Sequence, residues 1–91
     1  MAHPVRKVLS PFNSRESMTT QEAADRAGKS INCIKYWCET HGLGRKVGGE
    51  WHISRVAFEM FLESDKAALD LYHMGARAEP TVARYYAMFD L

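Results

Sequence analysis

Ninety-one residues, 46% of them apolar and 25% charged, suit one domain with a single modest core and exclude both wholesale disorder and a cleft between two lobes. No apolar run approaches the roughly 20 residues needed to cross a bilayer. Met1 to Phe12 holds Arg6 and Lys7 but no continuous apolar stretch of the secretory kind, and Cys33 and Cys38 make a poor disulfide framework, so a cytoplasmic location is expected.

The net charge of +1 hides a division. Through residue 55 nine Lys and Arg face five Asp and Glu, a balance of +4; from residue 56 onward three face six, a balance of −3. A basic front and an acidic back suit one surface that meets phosphate and another that meets protein.

Residues 1–17, with Pro4, Pro11, Asn13 and several serines, lack periodicity and read as an irregular N-terminal arm with a short strand at 5–9. At Thr19 the pattern sharpens. Thr19-Thr20-Gln21-Glu22 fits a capping box, Ala23, Ala24 and Ala27 give a small apolar face, and Gly28 ends the helix. Ser30 caps a second helix to about Thr40, with Ile34, Trp37 and Cys38 on one face and Asn32, Lys35, Tyr36 and Glu39 pointing elsewhere. Only Gly28-Lys29 separates these helices, too short a turn for antiparallel packing, so they cross steeply as a helix-turn-helix.

Two extended runs then flank Gly48-Gly49, a pair suited to a tight hairpin turn, across Arg45 to Ile53. Ser54 caps a third helix whose Val56, Phe58, Met60, Phe61 and Leu62 close the core. After Glu63 the chain continues helically, with Ala67, Ala68, Leu71 and Tyr72 on one face, and pauses at Gly75. Pro80 opens a last helix in which Val82, Tyr85, Tyr86 and Phe89 recur at helical spacing. The predicted fold is mainly α with a small β-hairpin wing: a winged helix-turn-helix over 18–63, followed by a helical extension over 64–91.

Thr19 to Leu62 resembles the excisionase-type winged helix-turn-helix family, relatives of the MerR DNA-binding domain. The matching residues are Met18-Thr-Thr-Gln-Glu-Ala-Ala, Gly28-Lys-Ser, Ile34, Trp37 and Val47-Gly-Gly-Glu-Trp-His-Ile. The resemblance covers about half the chain and implies a double-stranded DNA partner. Members include excisionases and other recombination directionality factors, transcription regulators and phage terminase subunits. This chain departs from the family at Lys29, Ile31, Tyr36 and Glu50, so base preferences do not carry over, and 64–91 lies outside the likeness.

In such a fold the second helix enters the major groove. Ser30, Asn32, Lys35 and Tyr36 are its candidate DNA contacts, with Lys35 suited to guanine or phosphate and Asn32 to adenine. Ile31 suits either a thymine methyl or first-turn packing. Arg45 and Lys46 before the wing turn, His52 on the wing and Arg55 at the start of the third helix are candidates for phosphate or the minor groove. Trp37 and Trp51 are assigned to the core. Cys33, Cys38 and His41 fall short of the four ligands a structural zinc needs, so the cysteines read as small hydrophobes and no metal is expected. No Ser-His-Asp order, carboxylate pair or phosphate-cradling glycine loop is present, and neither catalysis, a cofactor nor a small-molecule ligand is expected.

Val82, Tyr85, Tyr86 and Phe89 make the last helix too apolar to stand free in water. Either it folds back onto its own domain or it docks on a neighbouring copy or a recombinase. One such module buries only roughly 600–1,000 Å² on DNA, and copies on adjacent sites would add to its affinity. The sequence-level expectation is an excisionase that self-associates on DNA beside a tyrosine or serine integrase. Only 28 residues follow the third helix, which favours this over a MerR-type activator. A small MerR-like transcription regulator, a phage packaging subunit and an adaptor that has lost DNA binding stay open beside it.

Overall fold

A computed structural model describes residues 6–91. The short strand β1 (Ser17–Met18) leads into α1 (Thr20–Ala27) and α2 (Ile31–His41). A hairpin of β2 (Gly44–Val47) and β3 (Glu50–Ser54) runs into α3 (Arg55–Leu62), followed by α4 (Lys66–Met74) and α5 (Pro80–Met88). The fold is a winged helix-turn-helix with a C-terminal helical extension.

The local signals act as their chemistry requires. Thr19 Oγ1 accepts from the Glu22 N–H and the Glu22 carboxylate accepts from the Thr19 N–H, completing the capping box. Those same bonds hold the Glu22 carboxyl below the usual carboxylate range. Ser30 and Ser54 cap α2 and α3 by accepting from the N–H groups of Cys33 and Ala57. Gly48 and Gly49, with φ of 58° and 85°, make the left-handed turn between β2 and β3.

The sheet is antiparallel in the order β1-β3-β2, with Met18 and Gly44 on either side of Ile53, and Lys46 opposite Trp51. Gly44 has a steric reason. A Cβ there would lie 2.5 Å from the His52 carbonyl oxygen and 3.1 Å from Cys38 Sγ, so neither the paired strand β3 nor α2 leaves room for a side chain at this position.

One expectation is corrected. Residues 6–9 form no strand, and Val5 lies outside the described residues. The Lys7 N–H donates to the His73 carbonyl at 2.9 Å and the Leu9 N–H to the Tyr72 hydroxyl at 3.0 Å, so this backbone is satisfied by α4 rather than by a partner strand. The chain continues helically after Glu63, as α4, with a break between the two helices. Ser64 adopts φ 58°, and Asp65 caps a new helix by accepting from the Ala68 N–H.

Those breaks fold α4 and α5 against α3. Val8, Leu9, Ile34, Leu43, Ile53, Val56, Phe58, Met60, Tyr72, Val82 and Tyr85 share one core. Within it lies a buried carboxylate. Glu16 accepts from the hydroxyls of Tyr72 at 2.5 Å, Ser54 at 2.7 Å and Tyr86 at 3.0 Å, joining the arm, the end of the wing and both C-terminal helices. Burial, reinforced by the Glu16 charge, raises the Tyr72 and Tyr86 hydroxyl pKa values far above normal, so both remain donors.

Candidate nucleic-acid interface

The α2 helix presents Ile31, Asn32, Lys35, Tyr36, Glu39 and Thr40 to solvent, while Ile34 and Cys38 are buried beneath. Burial pushes the Cys38 thiol up to about 12, which makes it an inert core group. Trp37, half-buried, stacks at a tilt on Phe61 with centroids 4.9 Å apart and meets Phe58 at 6.2 Å. Ser30 stands exposed at the helix start with its hydroxyl engaged as the cap.

Beside α2 stands the hairpin, and strand alternation divides its side chains. Lys46 and Trp51 share one face, the ammonium 5.5 Å from the indole centroid. Arg45 and His52 share the other, where Phe12 of the arm lies beneath the Arg45 guanidinium at 5.6 Å and meets His52 edge-on. Two clefts border Trp51. One, of about 620 Å³, runs among Thr19, Thr20, Glu22, Lys35 and Gly49 to His52. The other, of about 430 Å³, is lined by Arg6, Lys7, Glu39, Arg45 and Lys46 among others.

The predicted contacts are not all equally available. Asn32, Lys35 and Tyr36 on α2 and Arg45 and Lys46 on β2 are exposed; Lys35 lines the larger of these two clefts, and Arg45 and Lys46 line the smaller. His52 is half-buried, its Nδ1 3.2 Å from Ser17 Oγ. Arg55 is half-buried as well; its Nη2 donates to the Ser17 carbonyl at 3.3 Å, and its Nε is buried without a partner among the described residues.

The extension answers the open choice about its packing. Val82 and Tyr85 are fully buried in the chain's own core, so neither has surface to offer a partner. The Tyr85 hydroxyl donates to Asp65 at 2.8 Å, Tyr86 donates to Glu16, and Phe89 is half-buried against the core. Tyr85, like Tyr72 and Tyr86, is held protonated by burial. Asp65 in turn is kept below the usual carboxylate range, first by the Tyr85 hydroxyl and then by the Ala68 N–H.

The three ion pairs among the described residues are Arg26–Glu59, Lys66–Asp70 and Arg84–Asp65, and none involves Arg6, Lys7, Lys35, Arg45 or Lys46. Nine of the twelve Lys and Arg enter no ion pair among the described residues; five of them, Arg6, Lys7, Lys35, Arg45 and Lys46, line the two clefts, where Glu22, Glu39 and Glu50 also stand. Sequence reading placed Arg6, Lys7 and Phe12 in the arm without a role; only the turn of the arm beside the hairpin brings them here, and that turn depends on contacts with α4 far along the chain.

A short capped helix, a left-handed glycine, a second helix with a polar exposed face and a cationic hairpin together define a winged helix-turn-helix nucleic-acid-binding face. A family model described as a helix-turn-helix domain matches residues 17–66, and the chain belongs to that family, which fits a sequence-specific DNA-binding protein. No similar curated protein and no similar solved structure was found. Among the described residues no helix is long and apolar enough to cross a membrane, and no group of three or more His, Cys, Asp or Glu is placed to hold a metal ion.

Proposed function

We propose that this chain is an excisionase, or recombination directionality factor, of a mobile element, acting by binding DNA rather than by catalysis. In this reading residues 18–63 make the principal DNA contact. Asn32, Lys35 and Tyr36 face the major groove, and Arg45, Lys46 and His52 face the backbone and minor groove at the hairpin, with Ser30 and Arg55 flanking them. Copies bind side by side near an attachment site, bend the duplex and favour excision by a tyrosine or serine integrase.

The observation that carries DNA binding is the set of five unpaired cations along the two clefts. These have no carboxylate partner among the described residues, whereas the described ion pairs lie elsewhere. Free cations release condensed counterions from DNA; paired ones have already lost that gain.

The test is a gel-shift titration on DNA from the protein's own genetic neighbourhood at two salt concentrations, paired with an excision assay and a promoter reporter. Stepwise bands that weaken with salt, together with stimulated excision, are the expected outcome. Lys35→Ala combined with Arg45→Ala should abolish both. Promoter control without excision would replace the proposal with a small transcription regulator, and no shift at moderate salt would replace it with a protein-interaction adaptor.

A further inference from the structure

The DNA-binding reading above, on which this inference rests, assigns no part to the arm. We infer that Arg6 and Lys7 join Arg45 and Lys46 in a second backbone site, a cationic cleft at the C-terminal end of α2 that takes the phosphodiester of duplex DNA.

The cleft measures about 430 Å³ and shares Trp51 with the lining of the Lys35 cleft, so the two adjoin at that residue. With α2 in the major groove and the hairpin toward the neighbouring minor groove, the strand dividing the grooves must cross between helix and hairpin. Its phosphates then pass the four cations. Glu39 is the one acidic residue in that lining.

Arg6 and Lys7 are held in place. One Arg6 nitrogen, Nη1, donates to the Thr40 carbonyl at 3.0 Å, leaving the other guanidinium donors for a ligand. Lys7 is fixed through its backbone: its N–H donates to His73 at 2.9 Å and its carbonyl accepts from Arg77 at 2.8 Å. The Lys7 side chain lies along Gly75 at the end of α4, where an added Cβ would stand 2.9 Å from its Cδ and 3.4 Å from its Nζ. Charges positioned before binding lose less freedom on meeting phosphate than those on a free tail.

Helix polarity gives an independent reason. The last carbonyls of α2 carry the negative end of its dipole, which would repel a phosphate at this cleft. Arg6 covers the Thr40 carbonyl, and His73 Nε2 lies 2.7 Å from the Gly42 carbonyl. The arm thereby turns an unfavourable helix end into a phosphate-compatible one.

Binding of the full chain to duplex DNA, titrated across salt concentrations, tests the assignment. Neutralising both groups with Arg6→Gln and Lys7→Gln should weaken binding to every duplex sequence alike. It should also lower the salt slope by about two, since each lost phosphate contact removes about 0.9. The charge-conserving pair Arg6→Lys and Lys7→Arg should keep the wild-type slope, and loss of the slope in that pair would overturn the charge argument. If the neutral pair binds like wild type while Lys35→Gln weakens binding, the inference fails and the DNA-binding reading survives. If wild type itself does not bind at moderate salt, both fall.

Discussion

His73 sits on α4 with its Nε2 donating to the carbonyl that ends the recognition helix. Burial holds its pKa below the ordinary imidazole value of about 6.5; the charges of Arg6 and Arg77 push the same way, while the Gly42 carbonyl and Asp70 oppose them. Because the folded pKa is the lower one, its stabilising effect is complete above the unfolded value and fades as pH falls from about 6.5 through the folded pKa. Thermal melts should lose several degrees between pH 7 and pH 5. His73→Gln retains an N–H for Gly42 but takes up no proton, so it should flatten that decline; equal declines in both proteins would remove His73 as the source. Nothing in the sequence marks this histidine, because its partner is 31 residues away. Asn32, Lys35 and Tyr36, by contrast, were legible as exposed groups because helical periodicity alone sets their direction.

At the scale of the elements, the caps and turns were the most readable features, since each depends on two to four neighbouring residues. Thr19 with Glu22, Gly28, Ser30, Gly48-Gly49, Ser54 and Pro80 all stand where local chemistry puts them. The first strand was misplaced because its pairing is nonlocal: Met18 belongs opposite Ile53, and β1 is only two residues long. Gly44 belongs to this scale too, for it stands where neither β3 nor α2 leaves room for a side chain. Gly44→Ala should cost about 1–3 kcal/mol through overpacking against backbone. That corresponds to a fall in Tm of roughly 4–8 °C for each kcal/mol in a domain this small. Denaturant and thermal unfolding measure it, and an unchanged midpoint would mean that β2 can shift away from the His52 carbonyl.

Across the whole molecule, stretches that read separately as arm, helix-turn-helix and extension share one interior. Val8, Leu9, Ala68, Leu69, Tyr72, Val82 and Tyr85 make seven of the eighteen buried hydrophobic residues among those described, and all lie outside 17–66. A fragment of residues 17–66 is therefore expected to retain helical tendency but lose a sharp thermal transition by circular dichroism, where residues 6–91 melt sharply. A sharp melt of the fragment would show that the remaining core suffices. Sequence periodicity marked the apolar face of α5, but on α4 it included Ala67, which is exposed, and missed the buried Leu69; for neither helix did it say which surface is covered, since that depends on the breaks at Ser64 and Gly75.

The enclosed Glu16 carboxylate bears on how such an interior can assemble. Its donors come from three places in the chain, Ser54, Tyr72 and Tyr86, and no cation stands among them. In water the carboxylate is fully hydrated. A state with the arm docked but α5 still loose would have removed that water without replacing every hydrogen bond. Half-built structures are thus disfavoured relative to both ends of the reaction, and the arm, wing and final helix are driven to form or dissolve as an all-or-none unit.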